Sequence, residues 1–426
     1  MPGLYLHIPF CTQACSYCDF YFVTQKTLIP AFVEAMCREI RSWKGGFGAS
    51  PVETIYFGGG TPSVLNREQL EAIFNAIHET FEAETKEITL EANPEHITQE
   101  YLKMVCDIGI TRLSMGVQSF DPLILSKMHR AHDREQAQKA LKLIKDHSVK
   151  LQSWSVDLIY GNPCQTVNML EKDIEQLLRF DPPHISAYSL TLEDRTRLNR
   201  EVELGRTQMP DQDRVAEHAE FVSQKLKEAG FEHYEVSSYA KPGHRAVHNH
   251  RYWNHVEYLG FGPSAHSFLW ENAFEGNPIR LSHERDLRSY LTQSTHAGIT
   301  KRYPYNLESN RQDSSSRDDS PKTDSDSTFF IPSGMNFEKL TIKDLAEERI
   351  MMGFRTSDGV TEHELQTRYN YTLNLAQSKW LLRKIEEGLM QDSQHMTQKQ
   401  GRIIKLTEYG LLIADTLTVD FLSLQI

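Results

Sequence analysis

LYLHIPFCTQACSYC, residues 4–18, joins a strand-like run to three cysteines at CxxxCxxC spacing. Short loops between Cys11, Cys15 and Cys18 let each sulfur reach a different iron of an iron–sulfur cube. Because a cubane has four irons, three protein thiolates leave one iron open to a small molecule. The stretch therefore predicts a 4Fe–4S cluster with one coordination position for a ligand that is not protein.

Zinc and disulfide chemistry are the alternatives for these cysteines. A structural zinc site needs four closed ligands, usually as two close pairs, whereas Cys37, Cys106 and Cys164 are single. His7 could complete a zinc site, but it lies in the strand-like run, four residues before the first thiol. A disulfide framework is disfavoured because six cysteines in 426 residues are sparse and no secretory leader is present.

Size and composition describe a globular chain of two or three domains. Hydrophobic residues make up 39% and charged residues 24%, and no stretch has eighteen uninterrupted apolar residues, so no membrane span is expected. The net charge of −12 argues against a broad electrostatic grip on nucleic acid. Reduced cysteines and the absence of a signal or transit peptide predict a cytoplasmic location.

The first 300 residues alternate strand-like runs with helix-length segments of three-to-four apolar spacing. The runs are Leu4–Ile8, Glu53–Phe57, Glu87–Glu91, Thr111–Val117, Leu151–Tyr160 and His184–Leu190. Six successive βα units predict an α/β fold, a partial (β/α)6 TIM-like barrel with a parallel sheet. Chemistry in such folds gathers at the C-terminal ends of the strands, where the three cysteines lie.

Three segments are predicted along the chain. Residues 1–300 form the barrel, with an extension for substrate at about 230–300. Residues 306–334 are rich in Ser and Asp, cannot bury enough apolar surface to offset their ordering entropy, and are predicted to be a disordered insertion. Residues 335–426 return to a globular pattern of helices and a short strand pair. They are predicted to form a small winged-helix-like domain without a basic recognition helix.

A glycine run follows the second strand, Gly58-Gly59-Gly60-Thr61-Pro62. Three glycines remove side chains, so backbone groups can come close to a ligand. The run matches neither GxGxxG nor GxxxxGK[ST], so a nucleotide phosphate loop is a poor fit, and a tight strand-to-helix turn is the alternative. The run follows the strand next to the one that precedes the cysteines. This position favours a contact with a ligand over a simple turn.

Together these motifs resemble the radical S-adenosylmethionine (SAM) superfamily, whose signature is CxxxCxΦC with Φ aromatic, here Tyr17. The resemblance implies that the open iron is chelated by the amino and carboxylate groups of SAM. It also implies that an electron from the cluster cleaves SAM to methionine and a 5′-deoxyadenosyl radical. The glycine run would then contact the methionine amino group.

Five further stretches resemble the oxygen-independent coproporphyrinogen III oxidase group. They are YLHIPFC at 5–11, YFGGGTPS at 56–63, EANPE at 91–95, SMGVQSF at 114–120 and DLIYG at 157–161. The resemblance implies SAM contacts at nine positions: Tyr5, Tyr17, Gly59, Gly60, Thr61, Glu91, Gln118, Arg130 and Asp157. On chemical grounds Glu91 could hold ribose hydroxyls, Arg130 a carboxylate, and Tyr17 the adenine.

Two features favour the HemW branch of this group, the haem chaperones, over the oxidases. Phe20 stands where the oxidases carry a fourth cysteine, and the long N-terminal segment of the oxidases is missing. HNHRYW at 248–253 resembles the HNxxYW pattern of the HemW branch, and GFGPSAHS follows at 260–267. His248, which opens the motif, is predicted to ligate haem iron while Tyr252 and Trp253 pack on the porphyrin; a buried structural histidine is the alternative. Four other histidines lie close by in the sequence and are alternative iron ligands: His244, His250, His255 and His266.

The resemblance thus implies a haem chaperone holding a 4Fe–4S cluster, SAM and haem, without oxidase activity. Its expected partners are haem, acceptor haemoproteins of the respiratory chain, and an electron donor such as a flavodoxin or ferredoxin. Self-association as a homodimer is a further expectation. Oxidative decarboxylation of coproporphyrinogen III is the enzymatic alternative. A structural cluster protein that uses the C-terminal domain is the third.

Overall fold

The computed structural model describes residues 2–44, 51–147, 151–274, 277–293, 301–304, 328–331, 335–392 and 402–425. The strands are β1 (Gly3–Ile8), β2 (Val52–Gly59), β3 (Ala83–Ala92), β4 (Arg112–Gln118), β5 (Ser153–Tyr160), β6 (His184–Ser189), β7 (Glu232–Glu235), β8 (Ser238–Ala240), β9 (Tyr258–Phe261), β10 (His266–Phe274), β11 (Asn277–His283), β12 (Lys301–Pro304), β13 (Thr328–Ile331), β14 (Met335–Lys339), β15 (Val360–Thr361), β16 (Met390–Asp392) and β17 (Ile403–Leu406).

Fifteen α-helices occur in the part of the chain that the structure describes. They are α1 (Ile29–Ser42), α2 (Arg67–Thr80), α3 (Gln99–Ile108), α4 (Pro122–Lys127), α5 (Arg134–His147), α6 (Val167–Leu178), α7 (Arg197–Glu203), α8 (Gln212–Glu228), α9 (Val247–Trp253), α10 (Leu287–Gln293), α11 (Ile342–Phe354), α12 (Glu362–Tyr369), α13 (Leu375–Glu386), α14 (Glu408–Leu411) and α15 (Ala414–Ser423). Among them, no helix combines the length and apolar character that a membrane crossing requires.

The predicted parallel core is confirmed. Strands β1 to β6 pair in parallel in sequence order, with helices between them. The sheet is open, since β1 pairs on its other side with β9 and β6 pairs with β8. The full order is β14-β11-β10-β9-β1-β2-β3-β4-β5-β6-β8-β7, so the extension lengthens the sheet at both edges. The fold is therefore a partial barrel.

The sequence pattern accounts for the elements and for one misplaced boundary. All seven residues of β4 are buried, although the apolar Leu113, Met115 and Val117 alternate with polar or small residues. Helix α1 buries Phe32, Met36 and Ile40 on one face, as its apolar spacing predicts. Strand β3 begins at Ala83, four residues before the predicted start. Its residues 84–86 are polar and exposed, so they show no apolar alternation from which this start could have been predicted.

The C-terminal residues bury a second hydrophobic cluster, which includes Leu345, Phe354, Trp380 and Phe421. Helices α11, α12, α13 and α15 pack with an antiparallel sheet of order β15-β17-β16. Strand β14, with which the predicted C-terminal domain begins, pairs with β11 of the large sheet. Of the predicted insertion 306–334, only Thr328–Ile331 lies within the described residues, where it pairs with β12. The winged-helix-like description stays a prediction.

Candidate functional site

The cysteine loop leaves the end of β1 and lies at the C-terminal edge of the parallel sheet. It is anchored where Cys11 N–H donates to the carbonyl of Val23 at 3.0 Å and Val23 N–H donates to Pro9 at 2.6 Å. Thr12 and Gln13 are exposed, whereas Ser16 is buried. The loop therefore turns one side to solvent and the other to the barrel.

The loop is also fastened to the chain that follows β4. Ser16 N–H donates to Met128 O at 3.0 Å, and its hydroxyl donates to Lys127 O at 2.9 Å. Gln13 Nε2 donates to His129 O at 2.8 Å. These bonds fasten the loop on both sides of Cys15, through Gln13 before it and Ser16 after it.

The three thiols influence one another electrostatically. Burial raises the pKa of Cys11 to about 11 and that of Cys18 to about 12, and in both cases the charge of Cys15 contributes. No three His, Cys, Asp or Glu side chains among the described residues converge around a single-ion position. An iron–sulfur cube is wider than a single ion. Its three thiolate ligands therefore need only border the same space and need not converge on one point. The donor set fits a cluster rather than a mononuclear metal.

Two side chains donate hydrogen bonds to the cysteine sulfurs. Thr61 Oγ1 donates to Cys11 Sγ at 3.4 Å, and Arg130 Nη1 donates to Cys15 Sγ at 3.3 Å. Arg130 also donates to Tyr17 Oη at 3.4 Å and through Nη2 to Gly116 O at 2.7 Å. Arg130 thus joins the cysteine loop to the end of β4.

The glycine run lies directly against the start of the cysteine loop. Gly60 N–H donates to Ile8 O at 2.9 Å, and Thr61 N–H donates to Phe10 O at 2.8 Å. A side chain at Gly59, whose φ is +107°, would place its Cβ 2.7 Å from the ring of His7. The positive φ and the close ring of His7 therefore require glycine at position 59.

Two half-buried carboxylates, Glu91 of β3 and Asp157 of β5, lie inside the barrel. Burial raises the pKa of Glu91 to about 7, opposed by its hydrogen bond from Tyr56 and supported by the charge of Asp157. Burial likewise raises the pKa of Asp157 to about 6. Tyr56 Oη donates to Glu91 Oε1 at 2.7 Å, and Gly59 N–H donates to Glu91 Oε2 at 3.2 Å. Such acceptors suit hydroxyl or ammonium donors of a polar ligand.

Gln118 and Arg130, two more of the predicted SAM contacts, lie close together beside Gly116. A Cβ at Gly116 would lie 3.1 Å from Gln118 Nε2 and 3.3 Å from Arg130 Nη2. Gln118 has a φ of +70°, which is uncommon for a residue with a side chain and marks local strain at the strand end. Its Oε1 and Arg130 Nε are buried without a hydrogen-bond partner among the described residues. An unpaired buried acceptor close to an unpaired donor of a guanidinium fits a zwitterionic ligand, which carries both an ammonium and a carboxylate group.

A cavity of about 200 Å³ lies on the far side of the cysteine loop. Its apolar wall includes Tyr17, Met128 and Leu190, and its rim includes Arg197 and Arg206. Tyr17 therefore stands between this cavity and Arg130. A flat apolar group with polar edges, such as a nucleobase, matches the lining.

The helix α9 carries HNHRYW and is packed against the barrel by its first turn. The ring of His248 is 1% exposed, and its Nδ1 is hydrogen-bonded to Thr54 Oγ1 at 2.9 Å. Its Nε2 is hydrogen-bonded to Tyr252 Oη at 2.8 Å. The backbone N–H of His248 donates to Glu87 Oε1 at 2.9 Å. Both ring nitrogens are engaged, so iron ligation by His248 requires breaking one of these bonds.

The same helix contacts the C-terminal helices with its other residues. His250 Nε2 lies 3.1 Å from Asp358 Oδ2, and Arg349 Nη1 donates to Trp253 O at 3.4 Å. Arg245, just before the helix, pairs with Asp358 at 3.0 Å. Helix α9 is therefore one of the connections between the barrel strands and the C-terminal helices.

Two contributors were not singled out from the sequence. Tyr56 donates to Glu91, and the alternation Tyr56-Phe57-Gly58 could have indicated its inward side chain. Asn93 Oδ1 accepts from Arg130 at 2.9 Å, and it lies in the EANPE stretch at a strand end. His7, considered from the sequence only as a zinc ligand, is buried beside Tyr5, and its ring is hydrogen-bonded to the Tyr5 hydroxyl at 3.1 Å. Position at a strand end was the available signal.

Comparison with known proteins agrees with this geometry. Residues 5–177 match the family model of the radical SAM superfamily. The chain is 31% identical over 400 residues to the heme chaperone HemW of Lactococcus lactis, covering 93% of each chain. It is 36% identical over 296 residues to the heme chaperone HemW of Haemophilus influenzae, covering 68% of this chain and 75% of that one.

Among solved structures, the chain resembles the coproporphyrinogen III oxidase HemN of Escherichia coli, with a TM-score of 0.73 and 19% identity. That match covers 99% of this chain and 90% of HemN, and at this identity it establishes the fold alone. The sequence relatives extend over the barrel and beyond it, and the structural match extends over the same sheet. The chain belongs to the radical SAM superfamily and, within its HemN-like group, to the HemW branch.

Proposed function

We propose that this protein binds haem and transfers it to acceptor haemoproteins, with a 4Fe–4S cluster and SAM held in the barrel. The observation that carries the proposal is the similarity to heme chaperones over 93% of the chain. The absence of a fourth cysteine at Phe20, noted in the sequence, supports the chaperone branch over the oxidases.

Cys11, Cys15 and Cys18 would hold the cluster. Their burial-raised thiol pKa values mean that the metal must displace protons on binding, as thiolate ligands require. The hydrogen bonds from Thr61 and Arg130 to sulfur would stabilise the negative charge of a reduced cluster. When bound, the cluster would supply one-electron chemistry to the ligand at its open position.

The nine predicted positions would hold SAM around this opening. Gly59 and Gly60 present backbone groups, Glu91 and Asp157 present half-buried acceptors, and Arg130 presents a cation beside Gln118. Tyr17 borders the cavity that would take the adenine. The raised pKa of Glu91 leaves part of this carboxyl protonated near neutral pH, so a cationic amino group or ribose hydroxyls would favour its ionised form.

The remaining predictions concern partners. Respiratory haemoproteins would be the acceptors, a flavodoxin or ferredoxin the electron donor, and the location cytoplasmic. A homodimer would form during transfer. His248 with Tyr252 and Trp253 stays the sequence-based prediction for haem contact, and it requires opening of the bonds to Thr54 and Tyr252.

Anaerobic reconstitution with iron and sulfide, followed by haemin and SAM, tests the proposal. The protein should develop a Soret band. When an apo-haemoprotein is added, haem should move to it faster than haem dissociates spontaneously from this protein. Absence of a Soret band would contradict haem binding. A parallel assay with coproporphyrinogen III should give no protoporphyrinogen; its formation would instead establish the oxidase.

A further inference from the structure

The side chain of Asn93 joins the two residues that donate hydrogen bonds to the cysteine sulfurs. Its Oδ1 accepts from Arg130 Nη2 at 2.9 Å, and its Nδ2 donates to Thr61 Oγ1 at 3.4 Å. Arg130 Nη1 in turn donates to Cys15 Sγ at 3.3 Å. Thr61 Oγ1 donates to Cys11 Sγ at 3.4 Å. One amide therefore connects the surroundings of the first cysteine with those of the second.

The orientation of this amide is fixed by two neighbours that can bond in only one way. A guanidinium only donates, so the Asn93 atom that faces Arg130 is the oxygen. On its other side Asn93 Nδ2 donates to Glu95 Oε1 at 3.3 Å. Burial opposes ionisation of Glu95, but its own backbone N–H and the neighbouring His132 lower its pKa to about 2. A carboxylate only accepts, so reversal of the amide would lose both bonds.

The fixed amide decides where the hydroxyl proton of Thr61 goes. A hydroxyl has one proton and two lone pairs, and the NH2 group of Asn93 occupies one lone pair. The proton is therefore left for Cys11 Sγ, which lies within reach. Thr61 is 3% exposed, so water competes little for this proton. With the amide reversed, Asn93 Oδ1 would attract the proton away from the sulfur.

The backbone of Asn93 is also fastened beside the cysteine loop. Its N–H donates to Ser63 Oγ at 3.3 Å, and the Ser63 hydroxyl is hydrogen-bonded to His96 Nδ1 at 2.9 Å. His96 N–H donates to Asn93 O at 3.1 Å, and its Nε2 lies 3.2 Å from Thr12 Oγ1. Thr12 is the exposed residue after Cys11. The turn that follows β3 thus reaches the loop twice, with Asn93 toward the sulfurs and His96 toward the exposed side.

We propose that Asn93 is a positioning residue of the cluster site and sets the reduction potential of the cluster. Its NH2 group aims the Thr61 hydroxyl at Cys11 Sγ. Its oxygen holds the guanidinium of Arg130 beside Cys15. Hydrogen bonds to the sulfurs stabilise the added negative charge of a reduced cluster, and consecutive hydrogen bonds polarise one another, so the guanidinium charge also acts on Cys11 through this chain. The inference rests on the proposed cluster and adds a residue that controls it.

Potentiometric titration of the reconstituted full-length protein, monitored by electron paramagnetic resonance, tests this role. Asn93→Ala should make the reduced cluster about tenfold less stable relative to the oxidised one, a shift of about 59 mV to more negative potential. The same substitution should shift the potential less in Thr61→Val, because the hydroxyl that Asn93 aims is already gone. Thr61→Ser, which keeps a hydroxyl, should restore the full effect. Asn336→Ala, at an exposed position on β14, is the control and should leave the potential unchanged.

A second variant covers the case in which Asn93→Ala does not take up iron. Asn93→Asp has nearly the same shape and keeps the acceptor for Arg130, but its second oxygen faces Thr61 and attracts the hydroxyl proton. Its potential should also become more negative. The shift should be smaller in the Thr61→Val background, where only the added charge acts.

The outcomes separate this role from the proposed function. An unchanged potential in the Asn93 variants at full iron content would overturn the positioning role and leave the cluster standing. Equal shifts in the wild-type and Thr61→Val backgrounds would also overturn it, since Asn93 would then act independently of the hydroxyl. Loss of iron from both Asn93 variants would make the residue a requirement for assembly and would overturn the proposal too. Failure of the wild type to take up iron would overturn the proposed cluster itself.

Discussion

The ring of His248 stacks on the ring of Tyr56, with centroids 5.0 Å apart and planes inclined by 29°. Tyr56 in turn donates its hydroxyl proton to Glu91. One aromatic residue thus separates the HNxxYW helix from a half-buried carboxylate of the proposed SAM site. Because α9 also contacts helix α11, side chains in contact lead from Glu91 to the C-terminal helices.

Removing the partner of His248 should destabilise the protein. In Thr54→Val the Nδ1 of a buried imidazole loses its hydrogen bond, at a cost of about 1–3 kcal/mol in the free energy of unfolding. Denaturant unfolding measures the difference. Thr85→Val, an exposed threonine on β3, is the control and should change stability little. Equal stability of the two variants would contradict a structural role for the His248 bond.

The raised pKa of Glu91 should make the ligand-free protein less stable as the pH rises. Its pKa is 4.5 when exposed and about 7 when folded, so the folded state binds the proton more tightly between these values. Stability is therefore greatest below about pH 4.5, as far as this group is concerned, and falls up to about pH 7. Glu91→Gln should remove this slope and raise stability at pH 8 by up to about 3 kcal/mol.

Thermal unfolding from pH 5 to pH 8 measures the Glu91 effect. Glu84→Gln, an exposed carboxylate on the same strand, should leave the wild-type slope unchanged. A variant Glu91→Gln with the wild-type slope would mean that Glu91 is ionised throughout. Affinity for SAM should meanwhile fall in Glu91→Gln, because the amide carries no charge to hold the ligand's polar groups.

Loss of one cysteine of the loop should abolish the cluster. Cys15→Ser removes a thiolate that is close to both other cysteines, so reconstituted protein should lose the broad visible absorption and most of its bound iron. Cys164→Ser is the control, since this exposed cysteine lies outside the loop. Iron analysis and electron paramagnetic resonance provide the measurements; equal iron in both variants would refute the ligand assignment.

The hydrogen bond to Cys11 should tune the cluster. Thr61→Val removes the hydroxyl that donates to Cys11 Sγ, so the reduced cluster loses stabilisation and its reduction potential should become more negative. Potentiometric titration, monitored by electron paramagnetic resonance, measures the change in reduction potential. Ser63→Ala is suitable as control, because the Ser63 hydroxyl contacts His96 rather than a cysteine. An unchanged potential in Thr61→Val would exclude this bond as a determinant.

Neutralising Asp358 should loosen the C-terminal helices. Asp358 pairs with Arg245 and His250, and these partners hold the pKa of its carboxyl below the usual range. The pairs are partly exposed, so Asp358→Asn should cost about 1 kcal/mol, or about fivefold in the opened fraction. Limited proteolysis of the region after residue 335 should accelerate by that factor. The exposed Asp420→Asn is the control.

Much of the fold could be predicted from local pattern. The six parallel strands follow from strand-like runs separated by amphipathic segments. The burial of both faces of β4 does not follow from its sequence, in which apolar and polar or small residues alternate. The early start of β3 could not be predicted, because pairing with β2 stabilises residues whose side chains face water. Likewise the addition of β14 to the large sheet depends on its partner β11, which no local pattern reveals.

The sequence by itself determined the order of the motifs: three cysteines after the first strand and glycines after the second, both at strand ends. These are short-range patterns, so spacing suffices to recognise them. Only the tertiary structure decided which histidines are free. His248 and His266 both lie in motifs that resemble those of the family. His248 is buried and hydrogen-bonded to Thr54 and Tyr252, whereas His266 is exposed to solvent. The difference arises because accessibility depends on strands and helices that pack from distant parts of the chain.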